Sequence, residues 1–288
     1  MVSIIIINYN TFSLTADCID SLLSNVKGCE YEIILVDNAS AECNPDLFAE
    51  KFPELKLVKS TKNLGFAGGN NLGISQSNGE YILLLNSDTI LKNDAVSLTV
   101  NGMKSRNIQL ATCNVLNEDN SNQTVCSYFP SVRISFLGFL GIIQLARKLG
   151  WQKLYYEYGY KAVRKVDWIW GCFFLFKKEI LDQFPEKKLP DDFFMYGEDM
   201  QWCYLLKKKG IDSWYLPGGI ITHLFSGPKS SQDPSINMGI RNHIIFLKRY
   251  YSWWRYSLIF LFDTLTALTR LRWKYLGKKV RMYLKLKG

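Results

Sequence analysis

Ser3-Ile4-Ile5-Ile6-Ile7-Asn8-Tyr9-Asn10 is the stretch whose reading decides the fold. Four consecutive isoleucines leave no polar face, so the run reads as a strand buried on both sides, which calls for a parallel sheet covered by helices. It stops at Asn8-Tyr9-Asn10. Leu14, Cys18, Ile19, Leu22, Leu23 and Val26 then recur at helical spacing, and Gly28 closes that helix. Residues 32–36 form a second apolar strand ending at Asp37, and residues 55–58 a third. The turn Asn63-Leu64-Gly65-Phe66-Ala67-Gly68-Gly69-Asn70-Asn71 opens a short helix through Ile74. Residues 81–85 make a fourth strand, which stops at Asn86-Ser87-Asp88. This alternation predicts an α/β domain with a mostly parallel, doubly wound sheet. Asn8, Asn10, Asp37, Asn63 and Asp88 fall at or just past carboxyl ends of strands, the rim where open α/β sheets bind ligands.

Composition bounds the rest. Of 288 residues, 48% are hydrophobic and 21% charged, an ordinary globular balance, while aromatics reach 14%. Seven cysteines with no C-x-x-C pair argue against a disulfide framework or a zinc site and fit a reducing cytosol. The opening apolar run is too short for a signal peptide. Residues 134–146 lie between Arg133 and Arg147, and residues 256–269 contain Asp263; both fall short of the ~18–20 residues of a membrane span.

The net charge of +9 is uneven, since residues 244–288 hold eleven Lys/Arg against one acid, Asp263. A nucleic-acid-binding domain spreads its charge over a folded face, so no nucleic-acid partner is expected. The expected organisation is a globular domain over 1–243 and a basic, aromatic-rich amphipathic tail over 244–288. On a helix, Arg270, Lys274, Lys278, Arg281 and Lys285 share one face. Leu265, Leu268, Leu276, Val280 and Tyr283 share another, where Arg272, Lys279 and Lys287 intrude and would snorkel. With Tyr250, Tyr251, Trp253, Trp254 and Tyr256 before it, this tail is expected on an anionic membrane surface. The alternative is that its apolar side packs on the domain or joins two copies as a homodimer.

Single motifs stay ambiguous. Asp37 suits a nucleobase or ribose contact, or a turn. Asp88 suits one ligand of Mg²⁺ or Mn²⁺ with phosphates supplying others, or a loop acid. Glu198-Asp199 suits catalysis, or the first turn of a helix ending in Lys207-Lys208-Lys209. His223, after the strand-like 218–222, suits a ligand or a structural residue. The Gly-rich turn is not G-x-G-x-x-G, and no Walker motif occurs.

The ordered set is more specific. Asn8-Tyr9-Asn10, Val36-Asp37-Asn38-Ala39-Ser40, the 63–73 turn, Leu85-Asn86-Ser87-Asp88 and Tyr196-Gly197-Glu198-Asp199 resemble family 2 glycosyltransferases, closest to a rhamnosyltransferase-like branch, over about residues 1–245. The resemblance implies a GT-A fold and a nucleotide-diphosphate sugar donor, dTDP- or UDP-linked, with rhamnose the leading sugar. Asp37 would contact base and ribose. Asp88 would hold Mg²⁺ or Mn²⁺ and the diphosphate, with His223 a further metal or diphosphate contact. Asn8, Tyr9, Asn10, Asn63, Gly65, Phe66, Asn70, Asn86 and Gly171 would line the donor, Trp170-Gly171 lying by sugar or acceptor. Asp199 would be the general base of an inverting displacement. The acceptor would be a lipid-linked glycan or envelope polysaccharide precursor, met by a peripheral protein on the inner face of the cell membrane. Gln201 and Leu205 depart from the family's usual acid and Arg, and Asn86 from its usual Asp. The competing readings are a sugar nucleotidyltransferase, disfavoured by the lack of a basic loop after the first strand, and a non-catalytic nucleotide-sugar-binding module.

Overall fold

The computed structural model describes residues 1–149, 162–224, 234–270 and 273–286. Its strands run β1 (Val2–Asn8), β2 (Tyr31–Asp37), β3 (Lys56–Lys59), β4 (Tyr81–Asn86), β5 (Thr89–Leu91), β6 (Leu110–Leu116), β7 (Cys126–Ser127), β8 (Arg164–Val166), β9 (Trp168–Ile169), β10 (Phe173–Lys177) and β11 (Ser213–His223). The helices are α1 (Phe12–Asn25), α2 (Asp46–Lys51), α3 (Gly65–Ile74), α4 (Ala95–Lys104), α5 (Val132–Phe139), α6 (Ile142–Lys148), α7 (Glu198–Lys208), α8 (Pro234–Tyr250), α9 (Trp253–Thr269) and α10 (Trp273–Lys285). The chain divides into two compact units.

The first unit is Met1–Ser127, Tyr160–Phe194 and Glu198–Phe225. Its main sheet has the order β3-β2-β1-β4-β10-β6-β11-β5, with β8 added on β11. The side containing β1 is the parallel, doubly wound part: β1 pairs in parallel with β2 and β4, and β2 with β3. Ile4, Ile5 and Ile6 are fully buried, as an all-apolar central strand requires. Beyond β4 the sheet is mixed. β10 runs antiparallel between β4 and β6, β6 and β11 are parallel, and β5 and β8 run antiparallel to β11. Register aligns Asn8 with Asp37 and His223 with Thr89, so the ends of β1, β2, β4 and β11 deliver polar residues to the rim.

The second unit is Tyr128–Gly159, Met195–Gly197 and Ser226–Gly288, carrying α5, α6, α8, α9 and α10. Phe136 packs edge-on against Phe262 (5.1 Å between centroids), and Phe260 stacks on Tyr283 (4.3 Å). Tyr251 Oη donates to the Pro130 carbonyl (2.7 Å) and Arg270 to that of Gly138 (2.9 Å), tying α5 to α9. The boundary drawn on charge at 243/244 falls inside α8. Lys279 does not snorkel outward. It is buried, 3.2 Å from Asp263, because an acid on the apolar helix α9 needs a cation beside it. Burial lowers the Lys279 pKa, opposed by Asp263. Arg272, Lys287 and the side chain of Lys274 lie outside the described residues. Among the described residues no helix is long and apolar enough to cross a membrane.

Candidate active site

Three polar clusters occupy the rim of the first unit. At the ends of β1 and β2, the buried Asn8 amide donates to Asp37 Oδ1 (2.9 Å) and Ser40 Oγ (2.9 Å). The Ser40 N–H donates to Asp37 Oδ2 (3.2 Å). Asp37 is therefore a fixed, buried acceptor. Tyr9 stands exposed beside it, and Asn10, at φ 55°, turns the chain and accepts from the Ala41 and Glu42 N–H groups.

The Gly-rich turn is bolted to this rim. Asn38 donates to Asn63 Oδ1 (3.0 Å) and the Gly65 carbonyl (3.1 Å), while its own oxygen accepts from Leu64 N–H (2.9 Å). Gly65 has φ +72°, and a Cβ there would lie 2.2 Å from the Phe194 carbonyl oxygen, so only glycine fits. The Phe66 N–H donates to that same carbonyl (2.8 Å), and its ring stacks toward Trp202 (6.1 Å). Asn70 is buried and donates back to the Phe66 carbonyl in its own helix (2.9 Å). Asn71 grips Leu189 through both amide atoms (2.7 and 3.0 Å).

The third cluster joins β4, β10, β11 and α7. His223 is buried at the end of β11. Its Nδ1 lies 2.9 Å from Gln123 Oε1, and its Nε2 lies 3.2 Å from the Asn86 amide nitrogen and 3.2 Å from Asp88 Oδ1. With the ring proton on Nδ1, Nε2 is an acceptor facing Asp88. Two acceptors so placed call for a cation or proton between them. Cis ligands of an octahedral ion with bonds of about 2.1 Å lie about 3.0 Å apart, so the pair fits one divalent cation. Among the described residues no three His, Cys, Asp or Glu side chains form a cage. Phosphate and water oxygens would thus complete the shell, as is usual for Mg²⁺.

Asp199 opens α7 after Gly197, which has φ +103°. Its Oδ1 accepts from the Met200 N–H (2.7 Å) and its Oδ2 from the Gly171 N–H (3.1 Å). A Cβ on Gly171 would meet the Phe66 ring at 2.9 Å, so glycine lets this donor approach. Burial pushes the Asp199 carboxyl up to about 6, opposed by those two N–H groups. The adjacent Glu198 is buried, and its carboxyl is raised well above the ordinary value, by burial first and then by the Asp199 charge. Cys172, buried next to Gly171, is pushed up to about 12 by burial, with the charges of Asp88 and Asp199 adding to the rise. The buried indole N–H of Trp170 has no partner among the described residues.

These clusters can hold a base and ribose, a diphosphate with a cation, and a proton acceptor. A model of glycosyl transferase family 2 matches residues 3–184, well over half of the chain. The chain belongs to glycosyl transferase family 2. It is 26% identical over 220 residues to the low-salt glycan biosynthesis hexosyltransferase Agl10 of Haloferax volcanii, covering 73% of this chain and 62% of that protein. Two solved structures share the GT-A fold. The mannosyltransferase PcManGT from Pyrobaculum calidifontis, in complex with GDP-Man and Mn²⁺, has a TM-score of 0.57 at 15% identity, covering 98% of this chain and 73% of that one. S. aureus TarS 1-349 has a TM-score of 0.53 at 12% identity, covering 92% and 70%. The chain spans less than two thirds of the curated relatives it matches first, 62% and 41% of their lengths.

The structure brings Asn86, Asp88 and His223 together at the ends of β4 and β11, Asn8 and Asp37 together at the ends of β1 and β2, and Asp199 to Gly171 at the start of α7. Sequence reading passed over Gln123, Ser40 and Asn71. Ser40 and Asn71 stand inside motifs already singled out. Gln123 lies 100 residues from His223 in an irregular stretch and carries no local signal.

Proposed function

We propose that this family 2 protein is an inverting glycosyltransferase using a nucleotide-diphosphate sugar. The observation that carries the reading is the pairing of Asp88 Oδ1 with His223 Nε2 at 3.2 Å. Asp37, held by Asn8 and Ser40, reads base and ribose. Asp88 and His223 hold a divalent cation, Mg²⁺ or Mn²⁺, with the diphosphate. When bound, such a cation supplies positive charge against the departing diphosphate. Asp199 takes the proton of the acceptor hydroxyl as its oxygen attacks the anomeric carbon. The bond from that carbon to the diphosphate oxygen breaks, and one displacement inverts the centre. A carboxyl raised to about 6 is a stronger base than an ordinary aspartate, yet ionised at neutral pH. The free Trp170 N–H is available to a sugar or acceptor hydroxyl.

The resemblance to the rhamnosyltransferase-like branch makes a dTDP- or UDP-linked donor, rhamnose first, the leading choice. The acceptor is a lipid-linked glycan or polysaccharide precursor. The basic segment 244–288 holds the protein on the anionic inner face of a membrane. The test is a donor panel scored by nucleoside diphosphate release with Mn²⁺ or Mg²⁺ and with EDTA. One donor should turn over with metal and stop with EDTA. Pyrophosphate release instead would make the protein a nucleotidyltransferase, and no turnover across the panel a binding module.

A further inference from the structure

A groove of about 760 Å³ runs between α5 and α9 in the second unit. Ser131, Val132, Arg133, Tyr251, Trp254 and Arg255 line one end; Phe136, Leu258, Ile259 and Phe262 continue it. Pairing of Phe136 with Phe262, and of Arg270 with the Gly138 carbonyl, sets α5 and α9 side by side with their N-termini at the same end. That end therefore combines two exposed arginines with two positive helix termini, and the rest is aliphatic and aromatic. Neither Arg133 nor Arg255 has a carboxylate partner among the described residues; Arg255 lies over the Trp254 ring at 5.2 Å. The unit's segments hold seventeen Lys/Arg against three acids, Glu157, Asp233 and Asp263, and the one of these among the described residues, Asp263, pairs with Lys279. At the mouth, Trp253 is 79% exposed and Trp254 48%, and Leu261 stands open further along α9.

We propose that this groove binds one anionic phospholipid of the bilayer, its phosphate between Arg133 and Arg255 and one acyl chain along Phe136, Leu258 and Phe262. A free anion would leave the apolar floor wet, and an uncharged lipid would leave two arginines unanswered. Trp253 and Trp254 suit the headgroup level. The inference rests on the membrane reading above and changes it in one respect: four of the ten lining residues, Ser131, Val132, Arg133 and Phe136, come from outside the basic segment 244–288.

The experiment is co-sedimentation of the full-length protein with phosphatidylcholine vesicles, with and without phosphatidylglycerol, alongside thermal unfolding of each variant. L258W fills the groove without changing charge. R133Q/R255Q empties its cationic mouth. K92Q/K209Q removes the same charge from exposed positions in the first unit, outside the membrane-facing segment. The expected result is that L258W and R133Q/R255Q, folded as wild type, each lose about tenfold or more in affinity for phosphatidylglycerol vesicles, with K92Q/K209Q losing less than about threefold. If wild type binds and both groove variants bind within about threefold of it, the groove is not the lipid site. An equal loss in K92Q/K209Q and R133Q/R255Q with L258W unaffected means charge alone acts, and also overturns the proposal. If wild type ignores anionic vesicles, the membrane reading itself falls and takes the groove with it.

Discussion

Replacing Asp199 with Asn should stabilise the protein while removing its activity. Asp199 is half-buried beside the buried Glu198, and its carboxyl is raised from 3.8 to about 6. An acid raised on folding costs nothing below its unfolded pKa, because both states then carry the proton. The cost grows as pH rises through the interval and is complete above about 6. A rise of this size corresponds to at most about 3 kcal/mol at neutral pH, less because the carboxylate keeps some solvent. Asn retains one acceptor oxygen, so either the Met200 or the Gly171 N–H loses its partner, at about 1–2 kcal/mol. The net gain is at most about 1–2 kcal/mol, or up to roughly 2–3 °C in Tm for a chain of this size. Differential scanning calorimetry at pH 8 and pH 4 tests this: the gain should appear at pH 8 and shrink at pH 4. Turnover should fall ~10²-fold or more. A Tm equal to or below wild type at pH 8, or an identical gain at both pH values, would refute a buried, destabilising Asp199.

For the wild-type enzyme, kcat/KM should fall with decreasing pH through about 6, where Asp199 gains its proton, and a limb near 4 would indicate an ordinary carboxylate. Gln123→Leu removes the acceptor that fixes the His223 tautomer, so Mn²⁺ affinity measured by calorimetry with nucleoside diphosphate present should weaken about 10–100-fold; unchanged affinity would take His223 out of the metal site. Asp37→Ala should weaken free nucleoside diphosphate and nucleotide-sugar alike, and a loss confined to sugar discrimination would reassign it. Gly171→Ala drives a methyl into the Phe66 ring and should cost about 1–3 kcal/mol in stability along with turnover, with a silent variant contradicting the packing described.

Much of the first unit was legible because its signals are local. Four isoleucines, the strand-end polar residues and the Gly-rich turn each report their own backbone. The direction of β10 was not. Its Phe-Phe-Leu-Phe core is apolar without alternation, and such a run is compatible with either strand direction; only its neighbours β4 and β6 decide. Lys279 misled for the same reason, since helical spacing placed it on an apolar stripe but did not reveal Asp263 one helix away. Gln123 shows the limit most clearly: what fixes His223 arrives from 100 residues off.

The clamp between the Gly-rich turn and the stretch before α7 has a kinetic consequence. Phe66 and Asn71 hold the Phe194 and Leu189 backbones by three hydrogen bonds, and Gly65 packs without clearance against Phe194. A sugar nucleotide settling against the turn would shift both ends of the segment 189–194, which leads into α7. Occupancy of one subsite would then prepare the other, and the two substrates would bind in a compulsory order, sugar nucleotide first, so that initial-rate patterns and product inhibition by the released nucleoside diphosphate become the place to see this coupling.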